Sequence, residues 1–230
     1  MSEHCVHWVI QNNWGCAVSD LADIRESYTK GTLDRHDLSD NPLVLFTRWL
    51  QQVIDSEIPD PTAMTIATVN KAGKPCQRIV LLKDVNADGF VFFTNLASRK
   101  AQELTNNPNI SLHFPWYLME RQVRVCGIAE PLPRTVVDEY FLSRPKASQL
   151  AAWASKQSQP IDSRAMMMAR FNQLEQKFAH TEVPVPDFWG GYLVKPQQME
   201  FWQGGEHRMH DRFEYNLDAN GEWFSTRLMP

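Results

Sequence analysis

The sequence predicts a mainly β protein with peripheral helices, in which the strands form a closed or split β-barrel. First, short segments rich in β-branched and aromatic residues recur between residues 63 and 227. Second, glycine-containing turns at 71–74, 86–89 and 218–221 separate several of these segments. Third, helical periodicity is confined to a few stretches between them. Closing such strands into a barrel removes exposed strand edges, which otherwise pair with other chains.

The length and charge of the chain limit the classes of protein to which it can belong. At 230 residues it fits one large domain, which we expect to cover residues 21–230. Residues 1–20 have no clear period and are expected to be a disordered leader. The formal net charge of −4 argues against nucleic acid as the main partner, because binding a phosphate backbone requires a basic surface.

Cysteine usage and hydropathy bear on the cellular compartment. The four cysteines form no CxxC pair, and no apolar run reaches the length of a signal peptide or a membrane span. We therefore expect a reduced, cytoplasmic protein that does not associate with a membrane.

The helices and strands are predicted in chain order from their periods and their caps. A short helix is expected between residues 21 and 37, and an amphipathic helix follows the Asn41-Pro42 cap. Further helices are predicted at 98–106, 133–143, 146–155 and 162–180. Strands are predicted at 63–69, 76–83, 90–95, 110–117, 122–131, 191–195, 199–202, 210–215 and 223–227. The first three strands should form a meander, and the methionines at 166–168 should lie in the core or at a subunit contact.

The segment 200–212, EFWQGGEHRMHDR, has the highest density of chemically active side chains. Arg208, His210 and Arg212 are spaced by two, so in an extended strand all three would project from one face. The alternative is a solvated edge hairpin whose charges discourage strand pairing.

A metal site in this segment is the weaker interpretation. His207, His210 and Asp211 could be ligands, but a His-x-x-His spacing alone is a weak signal. The neighbouring Arg208 and Arg212 would also repel a cation. We therefore predict no metal.

Three other groups of residues have the composition of anion sites. Arg78 and Lys83 flank four apolar residues on a predicted central strand, where their odd spacing directs them to opposite faces unless a bulge intervenes. Ser98, Arg99 and Lys100 begin a helix, where free N–H groups and cations favour phosphate. The alternative there is an ordinary Ser-capped surface helix.

The third group lies at a helix junction. Tyr140, Arg144 and Ser148 are spaced by four residues, and Pro145 interrupts the helix between the last two. The three side chains could therefore converge on another anion. Alternatively, they are helix caps or solvated side chains.

Several motifs together resemble the pyridoxine/pyridoxamine 5′-phosphate oxidase family, in order and spacing from about residue 24 to residue 230. The motifs are RIVLLK at 78–83, NLASRK at 95–100, ERQV at 120–123, SRP at 143–145 with SQ at 148–149, SKQS at 155–158, FWGG at 188–191 and the segment 200–212.

The resemblance implies an FMN-dependent homodimer with a split β-barrel fold and with flavin at the subunit interface. In the implied reaction, pyridoxine 5′-phosphate or pyridoxamine 5′-phosphate gives a hydride from its C4′ carbon to the flavin. The product is pyridoxal 5′-phosphate, and O2 reoxidises the flavin to give H2O2. Two alternatives are another split-barrel flavoprotein, such as a flavin reductase-like enzyme, and a non-catalytic carrier of FMN or pyridoxal phosphate.

The resemblance also implies roles for individual residues. The residues assigned to FMN are Arg78, Ile79, Lys83, Phe93, Thr94, Arg99, Lys100, Gln122, Gln157, Ser158, Trp202 and Arg212. Those assigned to the substrate phosphate are Lys83, Tyr140, Arg144 and Ser148. Arg208 and His210 are assigned to the pyridine ring as the catalytic pair, and Arg25 and Tyr28 to a flap over the substrate.

Overall fold

The computed structural model describes residues 26–230. The predicted leader and Arg25 lie outside the described residues. The helix expected near residue 21 is absent from the part that is described, because residues 26–34 have no helical hydrogen bonding. A 3-10 turn at Arg35–Asp37, capped by the side chain of Asp34, is the first regular element within residues 26–230.

Helix α1, Pro42–Asp55, forms where the sequence predicts it. The Asn41 side chain accepts a hydrogen bond from the backbone N–H of Leu43 at 2.9 Å, and Pro42 occupies the first turn, where its missing N–H costs nothing. Phe46 and Trp49 on its inner face are buried. The helix therefore covers the interior of the sheet.

In the part of the chain that the structure describes, nine antiparallel strands form one curled sheet. They are β1 Ala63–Val69, β2 Pro75–Leu81, β3 Asp84–Asn86, β4 Gly89–Asn95, β5 Asn109–Trp116, β6 Arg121–Pro131, β7 Trp189–Gln203, β8 Asp211–Leu217 and β9 Trp223–Leu228. The pairing order is β2-β1-β5-β6-β7-β4-β3, and β8 and β9 extend the sheet beside β7. β2 and β3 lie at opposite ends of this pairing order, but only two residues of the chain separate them. The two ends are therefore close together, and the sheet curls into a half-barrel. This confirms the predicted fold class.

The predicted three-strand meander is wrong. β1 and β2 form a hairpin, but β4 pairs with β7 and with the short β3 rather than with β2. β2 is consequently an edge strand of the pairing path and not a central one. Gly89 makes the β3–β4 turn possible, since its φ is +143° and a β-carbon there would lie 2.0 Å from the carbonyl oxygen of Val194.

The two strands predicted at 191–195 and 199–202 are one continuous strand, β7. Gly127 of β6 pairs with Pro196, while Cys126 pairs with Gln198, so Gln197 is an extra residue in a bulge. The propensity to form a β-strand is low at Pro196, because proline has no N–H to donate to a neighbouring strand. Pairing with β6 along most of its length nevertheless keeps the segment in one strand.

Four helices follow at the positions that the sequence predicts: α2 Arg99–Asn106, α3 Arg134–Ser143, α4 Lys146–Ala154 and α5 Arg164–Lys177. Met166, Met167 and Met168 on α5 are exposed, so their prediction as core residues is wrong. Their prediction as a subunit contact stays a prediction. Across residues 26–230, no helix combines the length and the apolar character needed to cross a membrane.

Two apolar clusters among residues 26–230 stabilise the fold. The larger one fills the curled sheet and includes Phe46, Phe90, Phe114 and Phe201, whose rings pack edge-on or tilted with neighbouring aromatic rings. The smaller one lies among α3, α4 and the segment before β7, and includes Phe141. This second cluster fixes the helix junction that contains Arg144.

Candidate functional site

A cavity of about 430 Å³ lies between β2, β4 and helices α2 to α4, and we name it the helix cavity. Nine of the predicted site residues line it: Ile79, Lys83, Phe93, Thr94, Lys100, Tyr140, Arg144, Ser148 and Gln157. Ser158 follows Gln157 in a left-handed conformation, with φ of 68°. The structure therefore brings together residues that are up to 78 positions apart in the sequence, from Ile79 to Gln157.

Lys100 is the buried cation at one end of the helix cavity. The Ser98 side chain caps α2, and in its first turn the Lys100 ammonium donates to Thr94 Oγ1 at 3.1 Å and to Gln157 Oε1 at 2.7 Å. Burial and then the nearby charge of Arg78 lower the pKa of Lys100 to about 8. Among residues 26–230 no carboxylate pairs with Lys100, so the ammonium is available to an anion.

Arg78 and Arg99 lie beside Lys100 and converge on the buried Glu103. Arg78 Nη2 lies 3.1 Å from Glu103 Oε2, and Arg99 Nε lies 3.1 Å from Glu103 Oε1. Thr68 donates to the same carboxylate and accepts from Arg78. Burial opposes the ionisation of Glu103, but these hydrogen bonds hold its pKa below the usual range.

Glu103 was not predicted as a site residue. Its position four residues after Arg99 on a helix is a signal for an ion pair. Its contact with Arg78 depends on the approach of β2 to α2, which the sequence does not reveal.

The other end of the helix cavity contains Tyr140, Arg144 and Ser148, whose predicted convergence matches their positions in the structure. The Tyr140 ring stacks on Phe93, with centroids 3.7 Å apart and planes 10° apart. Burial raises the pKa of Tyr140 and lowers that of Arg144. Arg144 Nη1 is buried and has no hydrogen-bond partner among residues 26–230. A buried guanidinium group with a free donor indicates an anion site.

Lys83 reaches the helix cavity in a way that strand alternation does not explain. β2 ends at Leu81, so Lys83 lies beyond the strand, and the prediction from odd spacing does not apply to it. Lys83 lines the cavity, whereas Arg78 points toward Glu103.

A second cavity, of about 610 Å³, lies beside the turn that precedes β8, and we name it the turn cavity. Tyr28, Trp202, Arg208 and His210 line it together with Glu26, Ser27, Gly205 and His207. The Tyr28 ring lies 5.8 Å from Trp202 and 5.7 Å from His210, centroid to centroid. The cavity is therefore partly covered by residues 26–34, which we name the N-terminal segment.

The prediction that Arg208, His210 and Arg212 share one strand face is wrong. Residues Glu206–Arg208 form a 3-10 turn, and β8 begins only at Asp211. Arg208 has a φ of 63°, a left-handed conformation that no strand contains. The turn still directs Arg208 and His210 into the same cavity. His210 Nδ1 accepts a hydrogen bond from the Gly205 N–H at 3.2 Å.

The charge state of His210 follows from its surroundings. Burial, and then the positive charge of Arg208, lower the pKa of His210 below its ordinary value. The neutral imidazole is therefore favoured at neutral pH. Since Nδ1 accepts a hydrogen bond, the neutral ring has its proton on Nε2.

A third cavity, of about 350 Å³, shares Trp202 with the turn cavity, and we name it the strand cavity. Gln122 and Arg212 line it. Arg212 Nε donates to Glu200 Oε1 at 2.8 Å, and this hydrogen bond raises the pKa of Arg212. His113 Nε2 lies 2.9 Å from Gln122 Oε1 and orients that amide. Glu200 and His113 were not predicted.

The predicted residues thus fall into two groups on one chain. The first group is in and beside the helix cavity, and the second lines the turn and strand cavities, which have no lining residue in common with the helix cavity. Within residues 26–230, no three His, Cys, Asp or Glu side chains are grouped to hold a metal ion.

Two family profiles match the chain. One, described as pyridoxamine 5′-phosphate oxidase, covers residues 50–178. The other, described as the pyridoxine 5′-phosphate oxidase C-terminal dimerisation region, covers residues 189–230. Together they contain every predicted site residue except Arg25 and Tyr28.

Similar proteins cover nearly the whole chain. A protein from Alteromonas mediterranea named pyridoxine/pyridoxamine 5′-phosphate oxidase is 60% identical over 210 residues, which are 91% of this chain and 99% of that protein. A Vibrio vulnificus protein of the same name is 59% identical over 92% of this chain and 100% of its own length.

Solved structures share the fold. PhzG from Burkholderia lata, in complex with tetrahydrophenazine-1-carboxylic acid, is 28% identical with a TM-score of 0.82, over 86% of this chain and 98% of that one. A pyridoxamine 5′-phosphate oxidase-related, FMN binding protein from Nostoc punctiforme is 16% identical with a TM-score of 0.66, over 83% of this chain and 98% of its own. The second likeness concerns the fold alone.

Proposed function

This chain belongs to the pyridoxine/pyridoxamine 5′-phosphate oxidase family, and we propose that it oxidises pyridoxine 5′-phosphate or pyridoxamine 5′-phosphate to pyridoxal 5′-phosphate. FMN is the proposed cofactor, and O2 is the proposed final electron acceptor, giving H2O2. With the amine substrate, hydrolysis of the imine first formed releases ammonia.

The observation that carries the proposal is the pair of unneutralised cations in the helix cavity. Neither Lys100 nor Arg144 pairs with a carboxylate in the part of the chain that is described. Two separate cationic groups fit two phosphate monoesters, one from a flavin and one from a substrate. A carrier of a single ligand would need only one of them.

The residues around Lys100 fit the phosphate of FMN. Arg78 and Arg99 are oriented by Glu103, and Thr94, Gln157 and Ser158 add polar groups. Phe93 and Ile79 offer apolar surface, and Gln122, Trp202 and Arg212 would bind the rest of the cofactor. When bound, FMN supplies the redox chemistry, because it accepts two electrons from the C4′ carbon of the substrate and passes them to O2.

The residues around Arg144 fit the substrate phosphate. Arg144 and Lys83 supply positive charge, and Tyr140 and Ser148 supply hydroxyl groups in the same cavity. Arg208 and His210 would contact the pyridine ring, and Tyr28, with Arg25, would cover it. Anchoring the phosphate at one end and the ring at the other restricts the position of C4′, which is the main contribution that the protein makes to the rate.

The two groups of residues would meet only in a dimer. The second group lies in the segment matched by the dimerisation-region profile. Ile79 lines the helix cavity and is 71% exposed, and Leu81 beside it is 42% exposed, so a partner could cover this apolar edge. We propose that residues 21–230 act as a single domain in each protomer, and that flavin binds between the helix cavity of one protomer and the strand cavity of the other.

The reaction can be tested with the FMN-loaded protein in the absence of oxygen. Addition of pyridoxine 5′-phosphate should bleach the flavin absorbance and produce about one pyridoxal 5′-phosphate per flavin, and admission of O2 should restore the absorbance. Bound FMN that the substrate never bleaches would indicate a carrier. Bleaching by a nicotinamide cofactor instead would indicate a reductase.

The roles of Arg208 and His210 can be separated from that of Arg212. Arg208→Ala and His210→Ala should slow anaerobic flavin reduction by on the order of a hundredfold while FMN content is kept, because a misplaced C4′ reacts slowly. Arg212→Ala should mainly lower FMN affinity. Glu200 keeps its ion pair with Arg124 at 2.7 Å in that variant, so folding should survive. If the Arg208 and His210 variants both reduce flavin at the parent rate, the segment 200–212 is a charged, solvated edge and not part of the active site.

A further inference from the structure

The 188–191 motif has no role in the proposed function, yet Trp189 lines the helix cavity beside Arg144. Its backbone is fixed at the start of β7, where it pairs with Asn95 and donates a hydrogen bond to the Pro186 carbonyl at 3.0 Å. The indole ring is partly buried against Phe141, with centroids 5.8 Å apart. The ring therefore has a defined position.

The Arg144 guanidinium group is held in an unusual way. In the described part of the chain it donates no hydrogen bond and pairs with no carboxylate, and its Nη1 is buried without a partner. Its contacts are with aromatic faces: Cζ lies 4.3 Å from the centre of the Trp189 ring and 5.6 Å from that of Phe141. Aromatic faces attract a cation without using its N–H groups.

We propose that Trp189 is a positioning residue that holds Arg144 for the substrate phosphate. The proposal deepens the proposed function and rests on it. A guanidinium group lying against an indole face keeps all its donors in its own plane, directed past the ring. Those donors can then bind a phosphate in the cavity that Lys83, Tyr140 and Ser148 also line.

The backbone at Arg144 supports this role. The Arg144 N–H donates to the Phe141 carbonyl at 3.2 Å, and its own carbonyl accepts from Gln149 Nε2 at 2.9 Å. Pro145 follows and keeps Arg144 extended. The backbone is thus fixed, but among residues 26–230 the long side chain has only the two aromatic faces to restrict it. Loss of the nearer face should allow the guanidinium to leave its binding position.

The first experiment measures substrate and product binding in Trp189 variants. Trp189→Leu in the holoenzyme should weaken pyridoxal 5′-phosphate binding, measured by calorimetry, by about five- to tenfold. The KM for pyridoxine 5′-phosphate should rise by a similar factor while kcat and FMN content change little. Trp189→Phe, which keeps an aromatic face, should restore most of the affinity. A Phe variant as weak as the Leu variant would overturn the proposal, since the indole N–H would then be the active group.

A double-mutant cycle tests whether Trp189 acts through Arg144. Arg144→Ala should weaken pyridoxal 5′-phosphate binding by on the order of 10- to 100-fold. Adding Trp189→Leu to this variant should cost nothing further, because the group that Trp189 positions is gone. An undiminished additional loss would overturn the proposal and make Trp189 an independent contact or a purely structural residue.

Trp153 provides a matched control for the loss of a large aromatic side chain. It packs against the same apolar cluster, and its Nε1 donates to the Pro184 carbonyl at 2.8 Å, but it does not line the cavity. Trp153→Leu should lower thermal stability without changing ligand affinity. Equal affinity losses in the Trp153 and Trp189 variants would mean that general destabilisation is the cause, and would overturn the proposal.

The double-mutant cycle measures binding and not oxidation, so it tests the role of Trp189 separately from the proposed function. If the parent protein binds pyridoxal 5′-phosphate but never oxidises pyridoxine 5′-phosphate, the proposed function fails while the cycle still decides the role of Trp189. If the parent binds neither compound, both proposals fail.

Discussion

Lys100 shows how burial can shift the pKa of a single cation. The residue is 8% exposed, and its ammonium donates hydrogen bonds to two neutral groups, Thr94 and Gln157. The low polarity of the surroundings and the charge of Arg78 bring its pKa to about 8, from an ordinary value of 10.5. The ammonium and the neutral amine are therefore both accessible near physiological pH.

FMN affinity should consequently depend on pH. Below pH 8 Lys100 is already charged in the free protein and would attract the phosphate of the proposed cofactor. Above pH 8 a proton must be taken up on binding, so the affinity of the apoprotein for FMN should fall by up to about tenfold per pH unit. Titration of FMN fluorescence between pH 7 and pH 9.5 measures this. Lys100→Arg, which stays charged, should remove the dependence, and a flat profile in the parent protein would contradict the assignment.

The free apoprotein should show the opposite trend in stability from this group. The pKa of Lys100 is lower in the folded chain than in the unfolded one, so between about pH 8 and pH 10.5 the unfolded chain binds more protons. The contribution of Lys100 to the free energy of unfolding therefore increases as the pH rises from about 8 to 10.5. It decreases again as the pH falls toward 8.

At the scale of the elements, the position of the N-terminal segment depends on Gly204, the residue that follows β7. A β-carbon at Gly204 would lie 2.8 Å from both Cβ and Cγ of Tyr28 and 3.1 Å from Cβ of Glu120. Glu120 in turn accepts a hydrogen bond from the Lys30 N–H at 2.8 Å. A glycine is thus required at position 204 for Tyr28 to pack there and cover the turn cavity.

Gly204→Ala should displace Tyr28 and open the turn cavity. The KM for pyridoxine 5′-phosphate should rise about fivefold, which corresponds to roughly 1 kcal/mol, while FMN content stays at the parent level. Tyr28→Ala serves as the matched variant, since it removes the same contact without changing the strand. The double variant should be no worse than either single one, and additive losses would show that Gly204 does not act through Tyr28.

At the scale of the whole molecule, one protomer carries two separate groups of proposed site residues, each of which would be half of a complete site. Arg144 and Lys100 belong to the helix cavity, whereas Arg208 and His210 belong to the turn cavity. A two-fold dimer repeats every contact, so it would form two complete sites from four half-sites. The parent protein should accordingly sediment at twice the 26.6 kDa of the chain.

Complementation between two inactive variants tests this arrangement. Arg144→Ala and Arg208→Ala should each have little activity at limiting substrate. When the two chains are co-expressed, random pairing makes half of the dimers mixed, and each mixed dimer has one site with both parent residues. About one quarter of parent activity should return. No recovery from confirmed mixed dimers would mean that each site is built within one chain.

The sequence by itself determined most of the elements, the fold class and the family. Turn glycines, helix caps and strand composition are local properties, so α1 to α5 and most strands lie where they were predicted. The motifs at 78–83, 95–100 and 200–212 carried the resemblance, because residue types and their spacing can be read directly from the sequence.

Tertiary structure alone decided which residues meet. Pairing partners of β4, the continuity of β7 across Pro196, and the left-handed turn at Arg208 depend on contacts between distant segments, which local propensity does not encode. For the same reason the sequence could not reveal that Glu103 joins Arg78 to Arg99, or that the Trp189 face holds Arg144. A side chain acquires such a role only when folding brings its partner within a few ångströms, and the energy of that contact is absent from either segment on its own.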